Sequence, residues 1–226
     1  MTSADLENAD TRDVLAFLPG RGDRLRAVVL GGSAGAVRAL GEILPALPAG
    51  ARVPVIVVVH LSPRRESLLP SVFGARCPLP VREPEDKEPV AAGTVWIAPP
   101  DYHLLLERDG VFALSLEPPV NFSRPSIDAL FESAADAYGP DMLAVVLSGA
   151  NEDGAEGARR VREAGGWVVV QDPEEAESRA MPEAALRVAR PHLRANLATI
   201  ARLVGALVAP GTSDVPHPAE SDGGVR

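Results

Sequence analysis

The chain of 226 residues is long enough for one α/β domain with a full core, and its 46% apolar and 23% charged residues are the mix of a soluble globular protein. A net charge of -9 without a Lys/Arg-rich run speaks against nucleic acid as a partner. No apolar run approaches the ~20 residues that span a bilayer, so no membrane insertion is expected. A single cysteine, Cys77, excludes an internal disulfide and any multi-thiolate metal site, and its loop-like surroundings read as structural. Aromatics are scarce at 4%, so the core must be aliphatic.

The polar, acidic start from Met1 to Asp13 is the opposite of a secretory signal, which gives a cytoplasmic reading. Residues 1–25 are expected to form a flexible arm, 26–208 a single domain and 209–226 a disordered tail. Arg26 to Leu30 reads as the first strand, stopped by Gly31 and Gly32, with a helix from about Ala36 to Leu44. Pro54 to His60 holds five consecutive aliphatic residues and fits the middle of a parallel sheet. A loop opens at Leu61-Ser62-Pro63, and Ser67 to Phe73 reads as a short helix with Pro70 in its first turn. Cys77 to Gly93 reads as mostly irregular, and Thr94 to Ala98 as a short strand.

His103 to Glu107 and Val111 to Leu116 flank Asp109-Gly110, a hairpin signal. Ser126 to Tyr138 has the apolar spacing of an amphipathic helix. Met142 to Leu147 is a third fully apolar strand, followed by Ser148-Gly149-Ala150-Asn151-Glu152-Asp153-Gly154. Helices over Ala155 to Ala164, Pro182 to about Ala189 and Leu197 to Val208, with a strand over Trp167 to Gln171, complete the pattern. Strands alternating with helices predict a three-layer, doubly wound, mostly parallel α/β sheet with helices on both faces and an antiparallel hairpin insertion.

Ligands of such sheets bind beyond the carboxyl ends of the strands, which selects Ser33, His60 and the loop from Ser148 to Asp153. Gly31-x-Ser33-x-Gly35 has the spacing of a nucleophile turn, where small neighbours expose a hydroxyl. Three roles fit Ser33: nucleophile, phosphate contact or helix cap. His60 suits a general base and equally a strand-end histidine bonded to backbone. Asp153 suits the carboxylate that orients such a base, yet Glu156 three residues on also gives it capping-box spacing. The loop lacks Gly-x-Gly-x-x-Gly and Gly-Lys-Ser/Thr, so no dinucleotide or P-loop site is expected. His60, His103 and His192 lack metal-ligand spacing, and no metal or cofactor is expected. His103 is a candidate for the rim of the site. The order Ser, His, Asp, with the serine after the first strand, departs from an ordinary α/β-hydrolase.

Six segments in order resemble the catalytic domain of CheB, the chemoreceptor protein-glutamate methylesterase family. They are Gly31-Gly32-Ser33-Ala34-Gly35, His60-Leu61-Ser62-Pro63, Ile97-Ala98-Pro99-Pro100-Asp101-Tyr102-His103, Arg124 to Phe131, Leu147 to Ala155 and Met181-Pro182-Glu183-Ala184-Ala185. The resemblance covers about residues 26 to 205. It implies Ser33 as nucleophile, His60 as base and Asp153 as the orienting carboxylate, with backbone N–H groups of Ala34 and Ala150 as oxyanion donors. It also implies hydrolysis of glutamate γ-methyl esters to glutamate and methanol, with deamidation of receptor glutamines. The partners it implies are methylated chemoreceptor-like cytoplasmic helical domains. Two stretches depart from the family pattern: Ala34-Gly35-Ala36 replaces Thr-Gly-Gly, and Gly149-Ala150-Asn151-Glu152-Asp153 replaces Gly-Met-Gly-x-Asp. Only a short lead precedes Arg26, so control by a fused receiver domain is not expected, and a separate response-regulator protein is the implied alternative. Another ester or amide substrate, or a non-catalytic module on the same fold, are the competing readings.

Overall fold

The computed structural model describes residues 24–60 and 67–210. The expected arm and tail, and the loop at Leu61-Ser62-Pro63, lie almost entirely outside the described residues. Leu25, at the end of the expected arm, is buried in the core.

The chain runs β1 (Ala27–Gly32), α1 (Ala36–Ile43), β2 (Val55–Val59), α2 (Leu69–Gly74), β3 (Val81–Arg82), β4 (Val95–Ile97), β5 (His103–Leu106), β6 (Phe112–Ser115) and α3 (Ile127–Tyr138). It continues β7 (Met142–Val146), α4 (Ala155–Glu163), β8 (Trp167–Gln171), α5 (Ala180–Ala189), β9 (Leu193–Ala195) and α6 (Leu197–Val208). Seven strands form one parallel sheet in the order β3-β4-β2-β1-β7-β8-β9, and β5 and β6 pair antiparallel as the expected hairpin.

Every residue of β1, β2 and β7 is buried, because helices cover both faces of the sheet. The period of two in a strand divides them. Val28, Leu30, Val55 and Val57 pack with α1 and α6 in one cluster, while Ala27, Val29, Ile56 and Val58 pack with α3 and α4 in the other. The hairpin joins the second cluster through Leu104, Leu106 and Phe112, whose ring lies 4.9 Å from that of Trp96.

Three details differ from the sequence reading. β1 continues through Gly31 and Gly32, because its neighbours β2 and β7 offer ladder partners to that point (Gly32↔Val59, Gly31↔Val146). Val81–Arg82, in the stretch read as irregular, adds an edge strand beside β4. β9 was not anticipated; Leu193-Arg194-Ala195 is too short to show a period and pairs because β8 lies beside it.

From β1 the chain first builds outward through β2, then crosses back to lay β7 on the other side of β1. Successive connections therefore leave β1 and β7 in opposite directions, and a crevice opens beyond their carboxyl ends.

Candidate active site

The ladders bring three strand ends together. Ser33 N–H donates to the Ser148 carbonyl at 2.9 Å, and His60 N–H donates to the Gly32 carbonyl at 3.2 Å. Ser33, His60 and Ser148 thus follow three neighbouring strands, each about 4.8 Å from the next. After Ser33 the chain turns through Gly35 at φ +83, the residue that caps α1. A Cβ there would stand 2.7 Å from both Ser148 Oγ and Glu177 Cβ, so only glycine fits. The N-cap of α1 is Gly35, and Ser33 meets the helix only through its carbonyl, which accepts from Ala36 N–H at 2.9 Å, so the side-chain cap reading is corrected. Its side chain has no hydrogen-bond partner among the described residues.

Asp153 precedes α4, yet that helix is capped by Gly154 at φ +92 without a side-chain bond, so the capping-box reading is also corrected. Instead the buried Asp153 carboxylate turns to α3. Oδ2 accepts from Ile127 N–H at 2.7 Å, and Oδ1 from Asp128 N–H at 3.1 Å and the Ser126 hydroxyl at 2.9 Å. Two side chains complete its shell: His60 Nε2 at 2.7 Å from Oδ2, and Asn121 Nδ2 at 3.2 Å from Oδ1. These amides are free because the first turn of a helix leaves its N–H groups without intrahelical partners. Burial alone would raise the Asp153 pKa. The His60 hydrogen bond, the amides of Ile127 and Asp128 and the imidazole charge outweigh it and hold the carboxyl below its ordinary value.

The arrangement is reciprocal. Asp128, in the first turn of α3, sends Oδ1 to Gly157 N–H in the first turn of α4 at 2.7 Å. Each helix start is therefore satisfied by a carboxylate from the other. Asn121 Nδ2 also donates to Asp128 Oδ2 at 2.8 Å, which ties the two carboxylates together. Burial pushes the Asp128 pKa up to about 7; the Gly157 amide opposes this, and the charges of Asp153 and Glu132 add to it.

With the imidazole neutral, Asp153 as acceptor places the ring proton on Nε2 and leaves Nδ1 as the acceptor. Nδ1 lies 3.2 Å from the Ser123 hydroxyl. Sequence reasoning missed Ser123 and Asn121; they sit in a tight turn whose two central residues, Asn121 (φ +49) and Phe122 (φ +61), are left-handed. Asn suits such a turn, but Phe hides the signal that Asn-Gly would give. His103 does not reach His60: its Nε2 lies 3.1 Å from the Pro118 carbonyl and its Nδ1 accepts from Ser126 N–H at 3.2 Å, so it supports the start of α3.

The N–H groups of Ala34 and Ala150 donate to no acceptor among the described residues, and both residues are exposed beside the strand ends. A cavity of about 140 Å³ lies over His60, bounded by Asp101, Ser123, Arg124 and Pro125. A second of about 460 Å³, lined by Asn151, Glu152, Ala184 and Arg187, adjoins it across Phe122. Arg124 is fixed by Asp101 Oδ1 at 2.7 Å and by the Leu116 carbonyl at 2.9 Å. Half-buried Cys77 lies outside this constellation; burial pushes its thiol pKa up despite a backbone bond at Leu79, which keeps it protonated.

Residues 28–204 match the family model for CheB methylesterase. This chain belongs to the CheB methylesterase family. A Leptospira interrogans protein named for protein-glutamate methylesterase/protein-glutamine glutaminase activity is 42% identical over 177 residues, covering 78% of this chain and 92% of that one. A Trichodesmium erythraeum protein of the same name is 40% identical over 152 residues, but the match spans only 43% of its length. Among solved structures, the catalytic domain of CheB methylesterase from Thermotoga maritima superposes with a TM-score of 0.76 at 32% identity, over 81% of this chain and 97% of that one. The parallel sheet and hairpin are thus those of a CheB catalytic domain.

Proposed function

We propose that this member of the CheB family is a serine carboxyl-ester hydrolase that removes γ-methyl esters from glutamates of chemoreceptor-like helical proteins and releases methanol. The observation that carries the reading is the 2.7 Å contact of His60 with a buried carboxylate, beside a serine at the end of the neighbouring strand whose hydroxyl has no partner among the described residues. Ser33 Oγ attacks the ester carbonyl and His60 Nδ1 takes its proton. Asp153, ionised through neutral pH, stabilises the imidazolium and fixes its tautomer. The developing oxyanion is met by the N–H groups of Ala34 and Ala150, a stabilisation that costs about 2.7–4 kcal/mol in barrier when one donor is lost. Methoxide leaves with the proton from Nδ1. Water, activated by the same nitrogen, then cleaves the acyl-enzyme to glutamate and free Ser33.

The glutaminase half of the relatives' names fits the same steps with ammonia as the leaving group. Receptor domains of this kind put the reaction in the cytoplasm, and no helix among the described residues is long and apolar enough to cross a membrane.

The test is methanol release from methylated chemoreceptor by wild type and by Ser33→Ala. A loss on the order of 10⁴-fold or more, with the circular dichroism spectrum intact, is expected. Retained release would overturn the assignment, whereas turnover of small esters with none on receptor would transfer the chemistry to another substrate.

A further inference from the structure

Two hydroxyls compete for one nitrogen. If Ser33 is the nucleophile, as read above, its proton must pass to His60 Nδ1, because Nε2 is committed to Asp153 at 2.7 Å. In the structure Nδ1 faces the Ser123 hydroxyl at 3.2 Å. A neutral imidazole nitrogen offers one in-plane lone pair, so it serves one hydroxyl at a time.

Nothing in the fold requires Ser123 to be there for the turn itself. The turn is closed by backbone alone, with Val120 N–H to the Ser123 carbonyl at 3.1 Å and Ser123 N–H to the Val120 carbonyl at 2.9 Å. Its position over His60 is set from within, since Asn121 is pinned to both Asp128 and Asp153. The Ser123 hydroxyl also has a second acceptor in reach, the Asn121 carbonyl at 3.4 Å. Both distances are measured from one Oγ position, so rotation about Cβ–Oγ alone turns the hydroxyl proton from Nδ1 to that carbonyl and frees the nitrogen lone pair.

We infer that Ser123 is a positioning residue for the base: its hydroxyl proton is held on Nδ1 of His60 and turns to the Asn121 carbonyl when the Ser33 hydroxyl takes that lone pair. The resting base is thereby held in plane toward the cavity and spared from bulk water. The contact to the Asn121 carbonyl is the longer of the two, so freeing Nδ1 costs up to about the worth of one neutral hydrogen bond.

The experiment measures the rate at which a p-nitrophenyl alkylphosphonate labels the full chain. In this reaction Ser33 Oγ bonds to phosphorus, p-nitrophenolate leaves and the proton goes to Nδ1. The labelled residue is located by mass spectrometry. Ser123→Ala should label at Ser33 about two- to tenfold faster than wild type, the worth of one neutral hydrogen bond. Ser123→Thr, which keeps the hydroxyl, should return toward the wild-type rate. In the unlabelled chain the ¹⁵N resonance of His60 Nδ1 should move toward that of a free imidazole nitrogen in Ser123→Ala alone. Unchanged or slower labelling of a folded Ser123→Ala chain, with the adduct on Ser33, overturns the handover and leaves the nucleophile assignment standing. An adduct on Ser123, or none on the wild-type chain, overturns the nucleophile assignment and this inference with it.

Discussion

Asp128 offers the sharpest test of the electrostatics around the site. Its carboxyl moves from the ordinary value of 3.8 to about 7 in the folded chain, chiefly through burial. A raised carboxyl pKa means that the folded state holds a proton which the unfolded chain has already lost. Between about pH 4 and pH 7 the native state therefore loses stability as pH rises, and above pH 7 the loss is complete. At about 1.4 kcal/mol for each pH unit in that window, the ceiling is roughly 4 kcal/mol.

Asp128→Asn removes the titration while keeping an oxygen for Gly157 N–H. Its amide nitrogen would face Asn121 Nδ2, a mismatch that adds an offset independent of pH. The diagnostic is therefore the slope, not the absolute stability. Urea unfolding of both chains from about pH 4 to about pH 8 should show the variant gaining on wild type across the window, by up to roughly 4 kcal/mol, then running level. The Asp153 titration remains in both chains and is opposite in sign: its lowered pKa gives stability that is lost as pH falls below the ordinary carboxylate range, outside the window compared. A difference that stays flat with pH, or shrinks as pH rises, would refute the assignment of a buried, proton-holding Asp128.

Three further substitutions test the local geometry. Gly35→Ala should lower stability by at least about 1–2 kcal/mol and reduce esterase activity, since the residue is left-handed and faces Ser148 and Glu177; thermal unfolding and ester turnover measure both effects. Phe122→Gly removes a fully exposed ring from a left-handed position, so the unfolding free energy from urea titration should hold or rise, by about 1 kcal/mol at most; a clear fall would show that the ring packs on something. Gln171→Leu strips the buried Ser148 N–H of its acceptor, the side-chain oxygen at 2.8 Å, and should cost about 1–3 kcal/mol in denaturant midpoint.

Much of this was legible because the relevant signals are local. Val55 to Val59 are aliphatic without a break because both faces of β2 are covered, and that pattern alone predicts a central parallel strand. The rule that sites follow strand ends selected Ser33, His60 and the loop to Asp153 before any contact was known, and the ladders do bring those ends together. Spacing failed where a side chain looks away from its own segment. Asp153 and Glu156 have the interval of a capping box, yet Gly154 turns the chain so that Asp153 serves α3, some 26 residues upstream of it in the case of Ile127. Asn121 and Ser123 were invisible for the converse reason. Their importance lies in reaching Asp153 and His60, contacts fixed by tertiary packing rather than by any periodicity.

The exchange of carboxylates between α3 and α4 constrains how such a domain can lose its activity over evolutionary time. Asp153 is at once a partner of His60 and the acceptor for the first turn of α3, so a drifting lineage cannot discard it without leaving buried amides unpaired. The Ser33 side chain makes no such bond among the described residues. In descendants released from selection for the proposed hydrolysis, the serine should vanish first while the aspartate persists for its bonds to α3. Retention of Asp153 in a relative is therefore poor evidence of an active enzyme, and retention of Ser33 is the better witness.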